Sequence, residues 1–297
     1  MSNTTIRAAL MLVAAAVMYG AIFSCNKIAA EHGIPPTGYS FWQSLGAGAI
    51  LWVAGALRGT PPSWKWAYLR AYLVVGAVGI SLPTALLTYA SPHLPAGIIT
   101  MVLALSPPVT YLVSMLVGLE RLKILGILGI LFGLVGVGLL VGPTAILPSR
   151  EMAGWFALAL AGPAMFACSN VAVALLRPPA ASSVAMGSGI MLGSAVVIIP
   201  FVFLTGEAYL PGFDVGGEML AITVLIYAVF VIIFLEVIRM AGATFFAQFN
   251  YIAVLAGIAW GAVLFGEVLG LGVWIALALM AFGIVLTSLK DRVSVRR

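Results

Sequence analysis

The sequence predicts an all-α integral membrane protein of ten transmembrane helices, folded as two inverted five-helix repeats. Three observations predict it. Of the 297 residues, 63% are hydrophobic and only 8% are charged, where ordinary soluble domains carry about 25% charged residues. The apolar residues fall into ten runs, each close to the roughly 20 residues that cross a bilayer as a helix. Matching residues also recur between the two halves of the chain at one constant offset.

Each span is bounded by turn chemistry. The first, 8–30, runs from Ala8 through Gly20 to Ala30, longer than the apolar core of a cleaved signal peptide, so it reads as a retained helix. Gly33-Ile34-Pro35-Pro36 ends it and opens the second, 37–57. Arg58-Gly59-Thr60-Pro61-Pro62 precedes the third, 66–90, and Ser91-Pro92-His93-Leu94-Pro95 makes a tight turn into the fourth, 94–118. The fifth, 123–142, ends at Gly142-Pro143, and the sixth, 152–176, follows Pro148-Ser149-Arg150. Arg177-Pro178-Pro179 leads to the seventh, 182–204, and the stretch from Gly206 to Gly217 leads to the eighth, 218–239. The ninth and tenth, 243–265 and 269–289, complete the chain. Gly and Pro punctuate these boundaries, as helix termination requires.

A mean hydropathy of +1.18 excludes a soluble enzyme, because no soluble fold hides that much apolar surface. It also excludes a disordered protein and a nucleic-acid-binding domain, since the net charge of +5 sits in loops and the tail. With the N-terminus inside, Arg7, Arg58, Lys65, Arg70, Arg121, Lys123, Arg177, Arg239, Lys290, Arg292, Arg296 and Arg297 all lie on the cytoplasmic side. Only Lys27 and Arg150 lie outside. The positive-inside rule then places both termini in the cytoplasm, with an even number of spans across the inner (plasma) membrane. Cys25 and Cys168 lie in apolar runs and read as small buried hydrophobes, not as a disulfide or metal pair.

The internal repeat has an offset of 147 residues, which places Glu120 on Glu267, Gly136 on Gly283, Leu139 on Leu286, Met18-Tyr19 on Met165-Phe166 and Ala96 on Ala243. The halves are 1–146 and 147–297. Five spans each is an odd number, so the second half enters the membrane inverted. Inverted repeats are a transporter architecture, with the site near the midplane between them.

The turn Gly118-Leu119-Glu120-Arg121-Leu122, followed by Gly133, Gly136 and Gly138, resembles the end of an EamA domain. So does Phe265-Gly266-Glu267 followed by Gly283. Pro107 stands thirteen residues before Glu120, and Tyr19-Gly20 followed by Lys27 is similar to the family's Trp-Gly…Lys pattern in the first helix. The chain thus resembles the drug/metabolite transporter superfamily, EamA family, with two tandem domains. That resemblance implies export of amino acids or other metabolites, with exporters of aromatic amino acids as the nearest type. Two positions depart from the pattern. Gln43 stands where the second helix often has Arg, which weakens an anionic substrate, and Val254 stands where the second domain often has Pro.

No carboxylate lies at mid-depth, so a proton-coupled route through a buried acid has no candidate. Glu120 and Glu267 suit helix-end roles, where a carboxylate favours the following N-terminus, and Glu236 and Arg239, three residues apart, should pair on one helix face. Neutral polar residues carry the substrate-binding expectation: Tyr19, Trp42, Gln43, Ser106, Tyr111, Asn170, Tyr227, Gln248, Asn250 and Tyr251. Amides and phenols cannot face lipid cheaply, so each bonds another helix or lines a wet cavity. The cluster Gln248–Asn250–Tyr251 favours the cavity, with two amides and a phenol within four residues. Pro107, Pro108 and Pro163 are candidate gating points: a mid-helix proline removes a backbone donor and leaves either a static kink or a hinge. Lys27 either snorkels to the headgroups or sits as a cation at the outer mouth, and His93 either caps its turn or gates. The glycines 126, 129, 133 and 136 form a small-residue stripe for close helix packing.

These readings converge on a secondary transporter that moves small, neutral or zwitterionic solutes through a central cavity by alternating access. A membrane-embedded enzyme lacks a nucleophile–base pair or metal ligands at one depth, and a channel would show a repeated pore ring. No nucleotide loop, cofactor motif or metal cluster is expected. The partners are a small-molecule substrate and the bilayer, with the protein a monomer and no nucleic acid involved.

Overall fold

The computed structural model describes residues 3–90, 105–141 and 153–265, together with positions 272, 274–275, 278–279, 282–283 and 286. These residues form helices joined by short turns. In hydrocarbon every backbone N–H and C=O must find a partner within its own segment, so a chain this apolar has the helix as its solution. We number the helices α1 (Asn3–Glu31), α2 (Pro36–Leu57), α3 (Trp66–Gly76), α4 (Leu82–Ala90), α5 (Ser106–Leu116), α6 (Ile124–Val141), α7 (Ala153–Leu176), α8 (Ser183–Thr205), α9 (Val215–Ala241), α10 (Ala243–Ala247) and α11 (Phe249–Phe265). Among the described residues, seven helical segments are long and apolar enough to cross a membrane. They correspond to the first, second, third, sixth, seventh, eighth and ninth spans expected from the sequence. The fifth is a shorter apolar helix over Ile124–Gly136, the fourth is described only as α5, and most of the tenth lies outside the described residues.

The third span is not one uniform helix. A π-helical turn, Ala77–Ser81, joins α3 to α4. Pro83 explains it: proline has no N–H to return to Gly79, four residues back, so an α-helix there would strand that carbonyl. The wider turn shifts the pairing, and the Leu82 N–H donates to the Ala77 carbonyl five residues back. Such insertions recur at functional sites. The ninth span is also broken, with α10 separated from α11 at Gln248. Pro163, by contrast, sits inside a continuous α7.

The helices are capped at both ends of the bundle. Pro36 opens α2, where a missing N–H costs nothing. The Glu207 carboxylate reaches across from the α8–α9 loop and accepts from the Thr37 N–H at 2.8 Å, supplying an anion at a helix N-terminus. The same loop covers α2 through the Trp42 indole N–H, which donates to the Tyr209 carbonyl at 2.8 Å. Burial there, with Asp214 adding to it, pushes the Tyr209 phenol up to about 12. At the opposite end, Arg177 donates to the Leu235 carbonyl at 2.9 Å, to the Ala181 carbonyl at 3.1 Å and to the Ser183 hydroxyl at 2.8 Å. Glu236 pairs with Arg177 at 3.5 Å and takes the Arg239 Nε–H at 3.0 Å. The expected Glu236–Arg239 pair is present, as part of a larger knot that ties α7, α8 and α9 together.

In the interior α2 packs along α8, α1 packs against α9 and α11, and α7 packs against α3, α4 and α5. Serines stitch α8 to its neighbours: Ser44 and Ser194 hydroxyls lie 3.1 Å apart and Ser188 donates to the Gly48 carbonyl at 2.9 Å across the α2–α8 seam, and Ser81 of the π-turn donates to the Ser194 carbonyl at 2.7 Å. Leu10, Leu116, Val135 and Phe203 are exposed at 54% or above, which suits a lipid-facing surface. Cys25 is buried as expected, but Cys168 is exposed, on the outward side of α7.

A close backbone-to-backbone helix contact is made at Gly76. A Cβ there would lie 2.6 Å from the Ile190 carbonyl oxygen and 2.7 Å from the Ser194 nitrogen. Both obstacles are backbone and cannot rotate away. Gly76→Val is therefore expected to lose about 1–3 kcal/mol of stability by forcing α3 off α8. Gly138→Ala, where no atom of the described residues lies within 4 Å, serves as the control that should lose no stability, with thermal unfolding in detergent as the measurement.

Candidate functional site

A central cavity of about 60 Å³ lies between the two halves of the chain. From the first half, Tyr19 of α1, Val75 of α3, Gly79 and Ile80 of the π-turn and Thr84 of α4 line it. From the second half come Phe166, Ser169 and Asn170 of α7, Tyr227, Phe230, Val231 and Phe234 of α9, and Phe246, Phe249 and Asn250 of the broken ninth span.

Its walls differ in chemistry. One is an aromatic cluster. Tyr19 meets Phe230 at 4.8 Å and Phe249 at 5.2 Å between ring centroids, and Phe234 meets Phe246 at 4.7 Å. Phe246 and Phe249 stack at 5.2 Å. The Tyr19 and Tyr227 hydroxyls lie 3.0 Å apart, joining α1 to α9 across the two halves. Edge-on and tilted contacts of this kind add about 0.5–1.5 kcal/mol each beyond burial, so the wall is a mutually supported surface. The other wall is polar. The Asn170 amide donates to the Thr110 hydroxyl at 3.3 Å, Thr110 donates to the Ser106 carbonyl at 2.7 Å, and the Asn250 amide donates to the Ala247 carbonyl at 3.4 Å. The Ser169 hydroxyl is buried with no hydrogen-bond partner among the described residues. No charged side chain is among the described residues that line the cavity.

The structure brings together four of the sequence's substrate-binding candidates: Tyr19, Asn170, Tyr227 and Asn250. It puts the others elsewhere. Trp42 fastens the α8–α9 loop. Tyr111 donates to the Arg121 carbonyl at 2.8 Å and accepts from the Lys123 N–H at 2.9 Å, so its phenol closes the turn between α5 and α6. Gln43 and Ser106 are buried, at 6% and 0% exposure, but neither lines the cavity. Gln248 and Tyr251 are both 0% exposed and also lie outside its lining. Tyr251 fills the space left by Gly133, where a Cβ would collide with the tyrosine ring. That contact, and the close approach of Gly283 to the Gly129 carbonyl oxygen, give the glycine stripe its expected packing role.

The gating candidates separate similarly. Pro107 and Pro108 stand in the first turn of α5, where missing N–H groups cost nothing, so among the described residues they begin a helix and do not interrupt one. Pro163 is buried in α7 and Lys27 is exposed near the end of α1. His93 lies outside the described residues. Reading polar residues alone missed the aromatic wall and the π-turn. The spacing Tyr227, Phe230, Phe234, at three and then four residues, was the available signal: it places three rings on one face of α9.

Known proteins share this architecture. The chain is similar to a solved crystal structure of a protein, at 21% identity and a TM-score of 0.77, over 97% of this chain and 98% of that chain; at that identity the likeness is one of fold. No curated protein matches the chain. Residues 6–142, which hold α1 to α6 and the first-half wall of the cavity, match the EamA-like transporter family. The protein is thus a multi-pass bundle of apolar helices whose residues 6–142 match the EamA-like transporter family.

Proposed function

We propose that the protein exports small solutes, amino acids foremost, by alternating access through the central cavity. The observation that carries this reading is the cavity itself: an aromatic wall faces a wall of amides and hydroxyls, with no charged group among its described lining residues. An apolar or aromatic side chain suits the first wall. Asn170 and Asn250 suit the polar end of the same solute, because a carboxamide both donates to a carboxylate and accepts from an ammonium. A zwitterion carries its own counter-charge, so it fits an uncharged cavity where a singly charged solute would be stranded. The volume of 60 Å³ holds a few waters and falls short of the about 300 Å³ of small-molecule pockets. The solute-bound form must therefore be wider, as a moving wall in an alternating cycle provides.

The helix pairings support two inverted repeats. The offset of 147 residues relates α1 to α7, α2 to α8, and the third span to α9. Exchanging the halves turns the contact of α1 with α9 into that of α7 with α3 and α4, turns α1 with α11 into α7 with α5, and leaves α2 with α8 unchanged. A contact scheme that survives this exchange is what a two-fold axis between repeats predicts. The distribution of basic residues supports cytoplasmic termini in an inner membrane, and a described cavity lining without an acid favours facilitated export down a gradient.

The test is flux in proteoliposomes with labelled amino acids, with and without an imposed pH gradient. Saturable flux that favours aromatic side chains and follows the solute gradient alone is the expected result. Failure to move any amino acid in either condition overturns the substrate assignment. Flux that requires the pH gradient overturns the facilitated mechanism.

A further inference from the structure

Thr84 lines two cavities at once. One is the central cavity; the other, of about 230 Å³, is bounded by Asn26, Ala30, Ile34, Tyr39 and Ser40 where α1 ends and α2 begins. We infer that the two are a single passage: the second cavity is its outer vestibule, and Thr84 is the constriction whose side-chain size selects the solutes that pass. The inference rests on the reading that the central cavity carries solute.

The local geometry puts Thr84 in that position. It follows the π-turn and Pro83, and it lies four residues after Ile80 and five after Gly79, both of which face the central cavity. Pro83 and Ala85 on either side are buried, whereas Thr84 is partly exposed. The space narrows from about 230 Å³ outside to about 60 Å³ inside, and among the described residues Thr84 is the side chain common to both linings. The vestibule carries hydroxyls and an amide but no charged side chain among its described lining residues. Ser40 donates to the Pro36 carbonyl at 2.9 Å and the Tyr39 hydroxyl lies 2.9 Å from that of Thr223, while the Asn26 amide stands at the exposed edge. A solute with net charge would pass Thr84 with no counter-charge from either described lining, at a high desolvation cost. The passage thus takes polar solutes that are uncharged or internally neutral.

Cysteine accessibility tests the passage without reference to flux. In a Cys25→Ala/Cys168→Ala background, Thr84→Cys is treated in proteoliposomes with a membrane-impermeant methanethiosulfonate. Modification is expected from the face that carries Asn26 and Ser40. In a variant that also carries Ser40→Cys, prior attachment of a bulky reagent at position 40 is expected to slow modification at position 84 by about tenfold or more, by steric block. If the thiol at position 84 reacts only from the opposite face, or stays unmodified while the thiol at position 40 reacts, the passage is overturned. Flux tests the constriction separately. Thr84→Ser is expected to transport normally, Thr84→Phe to fall about tenfold or more, and Thr84→Ala to admit larger solutes. Wild-type selectivity in both the Phe and Ala variants overturns the constriction. If Thr84→Cys does not fold, Ser40→Cys alone still decides: a bulky reagent attached there should block flux, and unchanged flux overturns the passage. Normal labelling with no flux of any solute would instead count against the transport reading.

Discussion

An Arg177→Ala variant is expected to lose roughly 3 kcal/mol of stability, the scale for removing a mostly buried cation that serves one ion pair and three hydrogen-bond acceptors. The guanidinium is 12% exposed and Glu236 is 21% exposed. Burial pulls Arg177 below its ordinary value, and the Glu236 carboxylate pushes it back, so the guanidinium keeps its charge and holds it beside the carboxylate. Removal of Arg177 also frees the Leu235 and Ala181 carbonyls and the Ser183 hydroxyl, each of which costs about 1 kcal/mol if left unmade. Arg177→Lys should recover only part of the loss, because an ammonium lacks the planar fork that reaches both α9 and the start of α8. Arg239→Ala, whose side chain is 62% exposed, should lose well under about 1 kcal/mol. Thermal unfolding of the three variants in one detergent gives the order; an Arg177→Ala protein as stable as Arg239→Ala would show that the knot does not hold α7, α8 and α9 together.

Arg177 also marks the limit of what the sequence makes legible. Partners on one helix, such as Glu236 and Arg239, follow from helical spacing. Arg177 is 59 residues from Glu236, and no spacing rule joins them. The helices themselves were legible because Gly and Pro cannot continue a helix in lipid without cost, so the breaks show in the residues. Their facing was not. In a soluble protein the polar side of each helix points outward and orients it, whereas here the lipid side and the interior are both apolar. Phe230, Phe234, Phe246 and Phe249 therefore looked like any other residues of an apolar span, although they form one wall of the cavity. Apart from the glycine stripe, the polar residues were the markers of interior faces. They located Tyr19, Asn170, Tyr227 and Asn250, but a polar side chain satisfied by a backbone carbonyl looks the same in sequence. Trp42 and Tyr111 are of that kind. The π-turn was hidden for another reason: Pro83 signals a lost hydrogen bond, but whether the helix kinks or widens depends on the neighbours against which it packs.

The cluster Gln248–Asn250–Tyr251 gives the sharpest functional test, because three polar residues within four positions are expected to behave in three ways. Asn250 lines the cavity and is only partly buried, so Asn250→Leu should reduce flux by about tenfold or more while the fold stays intact, as loss of one solute-directed amide implies. Tyr251 is 0% exposed, its ring fills the site opposite Gly133, and its hydroxyl has no partner among the described residues. Tyr251→Phe keeps the ring and removes an unsatisfied group, so flux should be unchanged and stability equal or higher by up to about 1 kcal/mol. Tyr251→Ala should instead lose roughly 3–5 kcal/mol through the cavity it leaves beside α6. Gln248 stands at the break between α10 and α11, fully buried, with neither amide atom bonded among the described residues. A buried amide in that condition costs about 1–3 kcal/mol, so Gln248→Leu should raise the unfolding temperature. Its flux then decides what the amide is for. Unchanged flux at higher stability makes Gln248 a packing residue with a polar burden. Lost flux at higher stability shows that the amide is used in a conformation where the ninth span turns it toward the solute, and the break at residue 248 becomes the hinge that lets it turn.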